Sequence, residues 1–366
     1  MTNYTTYAYG HDFGNAKTCG ITYVNGIVRN LTVTSALLTG SHRDLAHAAI
    51  GDLRQSGTID DYSHMLKLNG KEYFIGNLAI EQSQGLSMGN LTEKGATRRY
   101  WSDRNLAFLL SVSGTLIQDK EYGLCVVTGL PIETYKDEQN ISSVKSTLEG
   151  THTFELDGEF RTAHVTVKKV LMEGSGANIA HGASGNTKIG IIDIGGRTTD
   201  IYMTIGQRPI SSLCQSHDKG VLSALEDFTK AFQALHRYTF KASDIEKLQT
   251  LYTSGKDYTK IIAVRNKGVS AREVGDMFDR SLRSVGESIV SFINQHWGES
   301  LGNDTIAGDV DRILLIGGGA YYFEPEIRAM FPRLLSIPVQ PECANAAGYA
   351  KLASHFLSRE TRLAAA

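Results

Sequence analysis

Residues 190–202 read Gly190-Ile191-Ile192-Asp193-Ile194-Gly195-Gly196-Arg197-Thr198-Thr199-Asp200-Ile201-Tyr202. The apolar opening predicts a buried strand. It breaks at an acid and two glycines and restarts over 199–205, which predicts a hairpin whose turn carries almost no side-chain bulk. Glycines let backbone N–H groups come close to an anion, and such a nest suits a phosphate. Asp193 cannot face a bare phosphate, because like charges repel. A divalent cation between them, Mg²⁺ held through water, resolves that conflict. Taken alone, the stretch is equally a tight turn with an acid beside it.

A second copy shifts the balance. Near the N-terminus the chain reads Tyr9-Gly10-His11-Asp12-Phe13-Gly14-Asn15-Ala16-Lys17-Thr18, then a second β-rich run over 20–24. Two Asp-x-Gly hairpins far apart in sequence predict a duplicated architecture with a ligand clamped between the halves. Lys17 falls where an ammonium reaches a phosphate, although a solvated lysine is the commoner fate of a single Lys. A third element fits: the apolar run Arg312-Ile313-Leu314-Leu315-Ile316 ends in Gly317-Gly318-Gly319 before a helical stretch. Side-chain-free backbone at the carboxyl end of a strand is where an α/β sheet lets a nucleotide lie close.

In this order and at these separations, the motifs resemble the two phosphate motifs and the adenosine motif of the actin, heat-shock chaperone and sugar-kinase ATPase superfamily. The resemblance covers nearly the whole chain. Its length, Val126-Val127-Thr128-Gly129-Leu130-Pro131, Met172-Glu173-Gly174-Ser175-Gly176-Ala177 and Asn345-Ala346-Ala347-Gly348-Tyr349-Ala350 are most similar to the ParM-type actin-like proteins that segregate plasmids. The fold implied is α/β: a duplicated actin-like (ribonuclease H-like) two-domain fold with nucleotide in the interdomain cleft. The implied domains are 1–185, with a small insertion over 36–90, and 186–344, with a small helical part over 217–269. A C-terminal helix, 345–366, is expected to pack back on the first domain.

Composition agrees with a globular chain and narrows the context. There are 366 residues, 41% hydrophobic and 21% charged, with a net charge of −2, so no global field favours nucleic acid or an anionic membrane. The four cysteines, Cys19, Cys125, Cys214 and Cys343, form no CxxC pair, which predicts reduced thiols in a cytoplasmic protein. Neither a signal peptide nor a membrane-spanning run is expected.

Along the chain, Asn25-Gly26 and Asn69-Gly70 predict hairpins, and Asp157-Gly158 a third turn. Helices are expected over 103–118, 133–148, 221–236, 242–254, 258–264, 324–331 and 344–356. Another over 270–297 carries Ser270 and Glu273 as a capping box. Residues 43–55 read as a short helix or a loop, and 337–339 as a short strand. Alternation of strands and helices after each meander is the α/β signature.

Phosphoanhydride hydrolysis needs phosphate donors, a metal and a group that orients water. Gly14, Asn15 and Lys17 are expected on one side of the phosphates, Gly195, Gly196, Arg197 and Thr198 on the other, with Asp12 and Asp193 facing the metal through water. In ParM-like proteins a carboxylate matching Glu173 is implied to orient or deprotonate the water. Its sequence setting alone reads as an ordinary helix-start Glu. Gly317, Gly318 and Gly319 are expected to line the nucleoside, and Lys219, Gly220 and Glu226 the ribose or base. The nucleotide implied is ATP, with GTP not distinguished. His11 alternates away from Asp12 and is expected to pack inward. Tyr321-Tyr322-Phe323 either stacks on the base or packs within a helix. The absence of GxxxxGK[ST] excludes a P-loop.

The function implied is a polymerising ATPase whose filaments segregate plasmid DNA through a DNA-binding adaptor, without contacting nucleic acid or membrane itself. The alternatives are a non-polymerising nucleotide-binding scaffold of the cell-division or pilus type, and a small-molecule kinase.

Overall fold

The computed structural model describes residues 4–41, 60, 62–83, 100, 102–182, 185–261, 268–298 and 310–365. Two sheets organise them. The first is built from β1 (Thr5–Asp12), β2 (Lys17–Val24), β3 (Ile27–Thr34), β4 (Leu37–Thr39), β5 (Ser63–Leu68), β6 (Lys71–Gly76), β7 (Glu121–Leu130), β8 (Gly150–Leu156) and β9 (Glu159–Met172). Its helices are α1 (Asn77–Gln82), α2 (Asp103–Leu116), α3 (Ile132–Tyr135), α4 (Glu138–Leu148) and α5 (Ser175–His181). The second sheet is built from β10 (Lys188–Ile194), β11 (Thr199–Ile205), β12 (Arg208–Pro209), β13 (Gln215–His217), β14 (Arg312–Ile316) and β15 (Leu335–Ser336). Its helices are α6 (Val221–His236), α7 (Ala242–Thr253), α8 (Ala271–Trp297) and α9 (Ala320–Met330), and the chain closes with α10 (Ala344–Ala365).

The two sheets repeat one plan. In the first, of order β3-β2-β1-β7-β9-β8-β5-β6-β4, β1 is antiparallel to β2 on one side and parallel to β7 on the other. In the second, of order β12-β11-β10-β14-β15, β10 is antiparallel to β11 and parallel to β14, and β13 joins β11. Each half therefore opens with a hairpin whose first strand has a neighbour on either side. The apolar sequence of β10 follows from its burial on both faces.

Local chemistry sets the turns. Asn25-Gly26, Asn69-Gly70 and Asp157-Gly158 all have positive φ (52° and 76°, 50° and 75°, 53° and 90°), the backbone that a two-residue hairpin of matching twist requires. Ser270 Oγ accepts from Glu273 N at 3.1 Å and starts α8 where expected.

Several expectations are corrected. The helix expected over 133–148 is two helices, because Asp137 Oδ1 accepts from Gln139 N and starts a new one. The helix after the triple glycine begins at Ala320, so Tyr321, Tyr322 and Phe323 belong to it. The strand expected over 337–339 lies at Leu335–Ser336, and Val339 is 97% exposed. The last helix runs on to Ala365. The described part of the 36–90 insertion continues the first sheet, with β5 paired to β8 through Leu66–Leu156 and its neighbours. In place of the helix over 258–264 there is a 3₁₀ turn, Tyr258–Lys260, and 262–264 lie outside the described residues, as does 43–55. Four reduced thiols were expected, but Cys19 and Cys343 form a disulfide, leaving Cys125 and Cys214 free and buried. A separation of 324 residues hides that pair from any spacing argument.

The candidate nucleotide cleft

Asp12 ends β1, and Phe13-Gly14-Asn15-Ala16 turn the chain into β2. Thr18 Oγ1 donates to Asp12 O at 2.9 Å, and Ser35 Oγ donates to Gly14 O at 2.6 Å, so this turn is held from behind. A side chain on Gly14 would sit 2.2 Å from Lys17 O. In the second hairpin Gly195 N donates to Thr198 O at 2.8 Å. The two turns meet: a Cβ on Gly196 would lie 2.8 Å from Ala16 Cβ and 2.9 Å from Ala16 N. That near-contact forms one wall of a cleft of about 660 Å³ between the two sheets.

Asp12, Gly14, Asn15, Lys17, Glu173, Asp193, Gly195, Gly196, Thr198, Gly317 and Gly318 all line this cleft. Gly317 takes a φ of 79° and is pressed on Ile194 O and Asp193 Oδ1, whereas a Cβ on Gly318 would meet nothing within 4 Å, so Gly318 faces open space. Glu173 follows β9, its N–H donating to Leu130 O at 2.8 Å. Gly174 then turns with φ 88° against Tyr202.

Five expected contacts fall elsewhere. Arg197 Nη1 pairs with Glu226 Oε1 at 3.2 Å beside the cleft. Gly220 is pressed on the Gly195 and Gly196 carbonyls, which accept from Val221 N at 3.2 Å and Leu222 N at 2.7 Å. The start of α6 thus braces the second turn from behind, and its N–H groups are spent on that turn. Lys219 O accepts from Thr199 Oγ1 at 2.8 Å. Gly319 packs on Ile194, and its N–H donates to Ile194 O at 2.7 Å.

Lining residues that sequence reasoning missed include Glu246, Gln249, Thr250 and Thr253, one face of α7, together with Gln340 and Glu342. Their i, i+3, i+4, i+7 spacing was visible, but a polar helical stripe ordinarily means solvent. Tyr321 and Tyr322 line the cleft from α9, and Tyr321 Oη donates to Glu342 Oε2 at 2.8 Å. His11 is fully buried, with Nδ1 3.1 Å from Tyr9 Oη and Nε2 2.9 Å from Thr18 Oγ1, as strand alternation predicts.

Electrostatics concentrate on three acids. Burial pushes Asp12 up to about 7, and the nearby Asp200 adds to this while Asn345 pulls the other way. Burial, then the charges of Asp12 and Asp200, push Asp193 well above the carboxylate range. Asp200 is raised by burial as well, but its Oδ1 accepts from Ser216 Oγ and from Ile132 N, which assigns it to holding β11 against α3. Asn15 Oδ1 is buried without a hydrogen-bond partner in the protein. Hard oxygen donors, mutual repulsion and an orphaned oxygen fit a hydrated divalent cation. Among the described residues no three His, Cys, Asp or Glu side chains form a metal cage, and Mg²⁺ ordinarily sits on one or two carboxylates plus ligand phosphates.

Comparison with known proteins agrees with this architecture. Residues 10–176 match the family model of the actin-like proteins' N-terminal domain, and residues 191–329 that of the archaeal actin homologue MreB-like C-terminal domain. The chain belongs to the actin-like proteins. The fold is that of a 15-stranded ParM filament from Clostridium botulinum, at TM-score 0.75 and 20% identity over 96% of this chain and 100% of that one. It is also that of an archaeal actin homolog in complex with ADP, at TM-score 0.67 and 17% identity over 96% and 99%. The Alp12 filament subunit is similar at TM-score 0.60 and 16% identity over 96% and 99%. No curated protein matches the chain by sequence.

Proposed function

We propose that the chain is a nucleotide-dependent, polymerising actin-like ATPase. The observation that carries this reading is the pair of Asp-x-Gly hairpins that line one cleft together with Glu173. Gly14, Asn15 and Lys17 on one side, and Gly195, Gly196 and Thr198 on the other, hold the β- and γ-phosphates. Gly317 and Gly318 admit the nucleoside. Asp12 and Asp193 hold Mg²⁺ through its waters. Bound there, Mg²⁺ neutralises developing charge on the phosphates. Glu173 orients the attacking water and takes its proton on the carboxylate.

The two sheets close on the triphosphate through the contacts each hairpin makes, and loss of the γ-phosphate removes part of that clamp. Filament growth on ATP and disassembly after hydrolysis follow from that change. Two similar solved structures are described as filaments and one holds ADP, which supports nucleotide-linked self-association in this chain. A role in plasmid or DNA segregation in the cytoplasm, through a DNA-binding adaptor, completes the proposal. A net charge of −2 supports an adaptor over direct contact with nucleic acid. Among the described residues no helix is long and apolar enough to cross a membrane.

Light scattering and phosphate release, followed together after Mg-ATP is added, test the reading. Scattering should rise and then decay as phosphate appears. In Glu173→Ala the polymer should persist, with phosphate release slowed by about 10²–10⁴-fold. Nucleotide binding with no scattering at any accessible concentration would sink the filament reading.

A further inference from the structure

Asn345, in the first turn of α10, is 2% exposed, and both ends of its amide are engaged. Nδ2 donates to Asp193 Oδ2 at 2.7 Å. Oδ1 accepts from Gly174 N and from Ala177 N, each at 3.2 Å, which are the residue after Glu173 and the first turn of α5. One neutral side chain thus joins the end of β10, the Glu173 turn and α10.

The surroundings leave it little freedom. A Cβ on Gly176 would lie 2.7 Å from Asn345 Cα, and one on Gly348 would lie 1.7 Å from Gly176 O. Helices α5 and α10 cross in backbone contact at this point, so the Glu173 turn and the start of α10 move together. An amide is the group that can donate to a carboxylate while accepting from two backbone N–H groups. A carboxylate in its place adds negative charge beside Asp12 and Asp193. An alkyl group leaves Gly174 N and Ala177 N unpaired.

We propose that Asn345 is a positioning residue for the hydrolytic reaction, holding the Asp193 carboxylate and tying it to the turn that carries Glu173. This rests on the nucleotide-hydrolysing reading above. The two contacts to backbone N–H groups alone would serve the fold. The contact to the Asp193 carboxylate is the part that a fold-only role has no need of.

Asn345→Asp, which keeps the shape and the acceptor, and Asn345→Ala, which keeps neither end, test this. Three quantities are measured: the affinity for a fluorescent, non-hydrolysable ATP analogue in Mg²⁺ and in EDTA, kcat and KM for phosphate release, and the thermal midpoint. In Asn345→Asp the tightening of the analogue by Mg²⁺ and kcat should both fall about 10–100-fold, the range for loss of a residue that orients metal-side ligands. Affinity in EDTA should stay near that of the unsubstituted chain.

Wild-type Mg²⁺ dependence and kcat in both variants overturn the proposal. So does loss of affinity that is equal with and without Mg²⁺ and follows the thermal midpoint, which assigns Asn345 to the fold. If Asn345→Asp does not fold, Asn345→Ala carries the same readouts. Failure of both to fold also assigns the residue to structure and overturns the proposal. A wild-type chain that binds the analogue but releases no phosphate sinks the hydrolytic reading alone, because the Mg²⁺ comparison still reports on Asn345.

Discussion

Burial raises Asp12 to about 7 from the usual 3.8, so its contribution to stability is present below the usual value and is lost as pH rises through 7. Its charge at neutral pH is a cost that the chain without a bound cation must carry. Replacing it, Asp12→Asn, should raise the unfolding free energy of the nucleotide-free protein at pH 7 by about 1–2 kcal/mol, seen as a higher urea midpoint, and abolish Mg²⁺-dependent nucleotide binding. An unchanged or lower midpoint would remove this account of the acids. His11 has the opposite sign. Burial holds it near 3 rather than 6.5, so stability is present above 6.5 and is lost as pH falls toward 3, by about 4–5 kcal/mol at most. In His11→Gln the acid limb of stability against pH should flatten, which urea titrations between those pH values measure directly.

At the scale of elements, the crossing of α5 and α10 is the tightest constraint near the cleft. In Gly348→Ala the new methyl meets Gly176 O, and one of the two helices must shift. A loss of about 1–3 kcal/mol is expected, together with weaker nucleotide binding, because α10 carries Asn345. Differential scanning calorimetry and an affinity measurement on one preparation check both halves. Helix α8 is a contrast. Ser270→Ala removes one cap at a residue that does not line the cleft and should cost about 1 kcal/mol with no change in nucleotide affinity. Both hairpin turns at the cleft could be read from their glycines, because an acid and glycines between two β-rich runs leave a turn with almost no side-chain bulk. The α7 face and the Gln340–Glu342 run could not, because polar residues carry no mark of which surface they face.

For the whole molecule, the Cys19–Cys343 disulfide ties β2, at the residue paired with Asp12, to the segment just before α10. Reduction or Cys343→Ser should lower stability by about 2–4 kcal/mol, the usual range for a bond closing a long loop. Alkylation of the denatured but unreduced chain should label Cys125 and Cys214 alone, and labelling of all four cysteines would contradict the bond. Nucleotide acts on the same scale, because a ligand held by both sheets binds only the folded chain. The thermal midpoint should climb with Mg-ATP concentration.

Sequence by itself determined the α/β class, the two hairpins with their acids and glycines, the triple-glycine strand end and most helix starts. These follow from near neighbours in the chain: periodicity, turn conformation and capping act over a few residues. Tertiary structure alone decided which of those residues share a cleft. It moved Arg197, Lys219, Gly220, Glu226 and Gly319 behind or beside the lining, and brought Asn345 to Asp193 across 152 positions. It also paired Cys19 with Cys343. Contacts of that reach depend on how two sheets and a closing helix pack, and no local pattern encodes the distance between residues that meet only when both cores have formed.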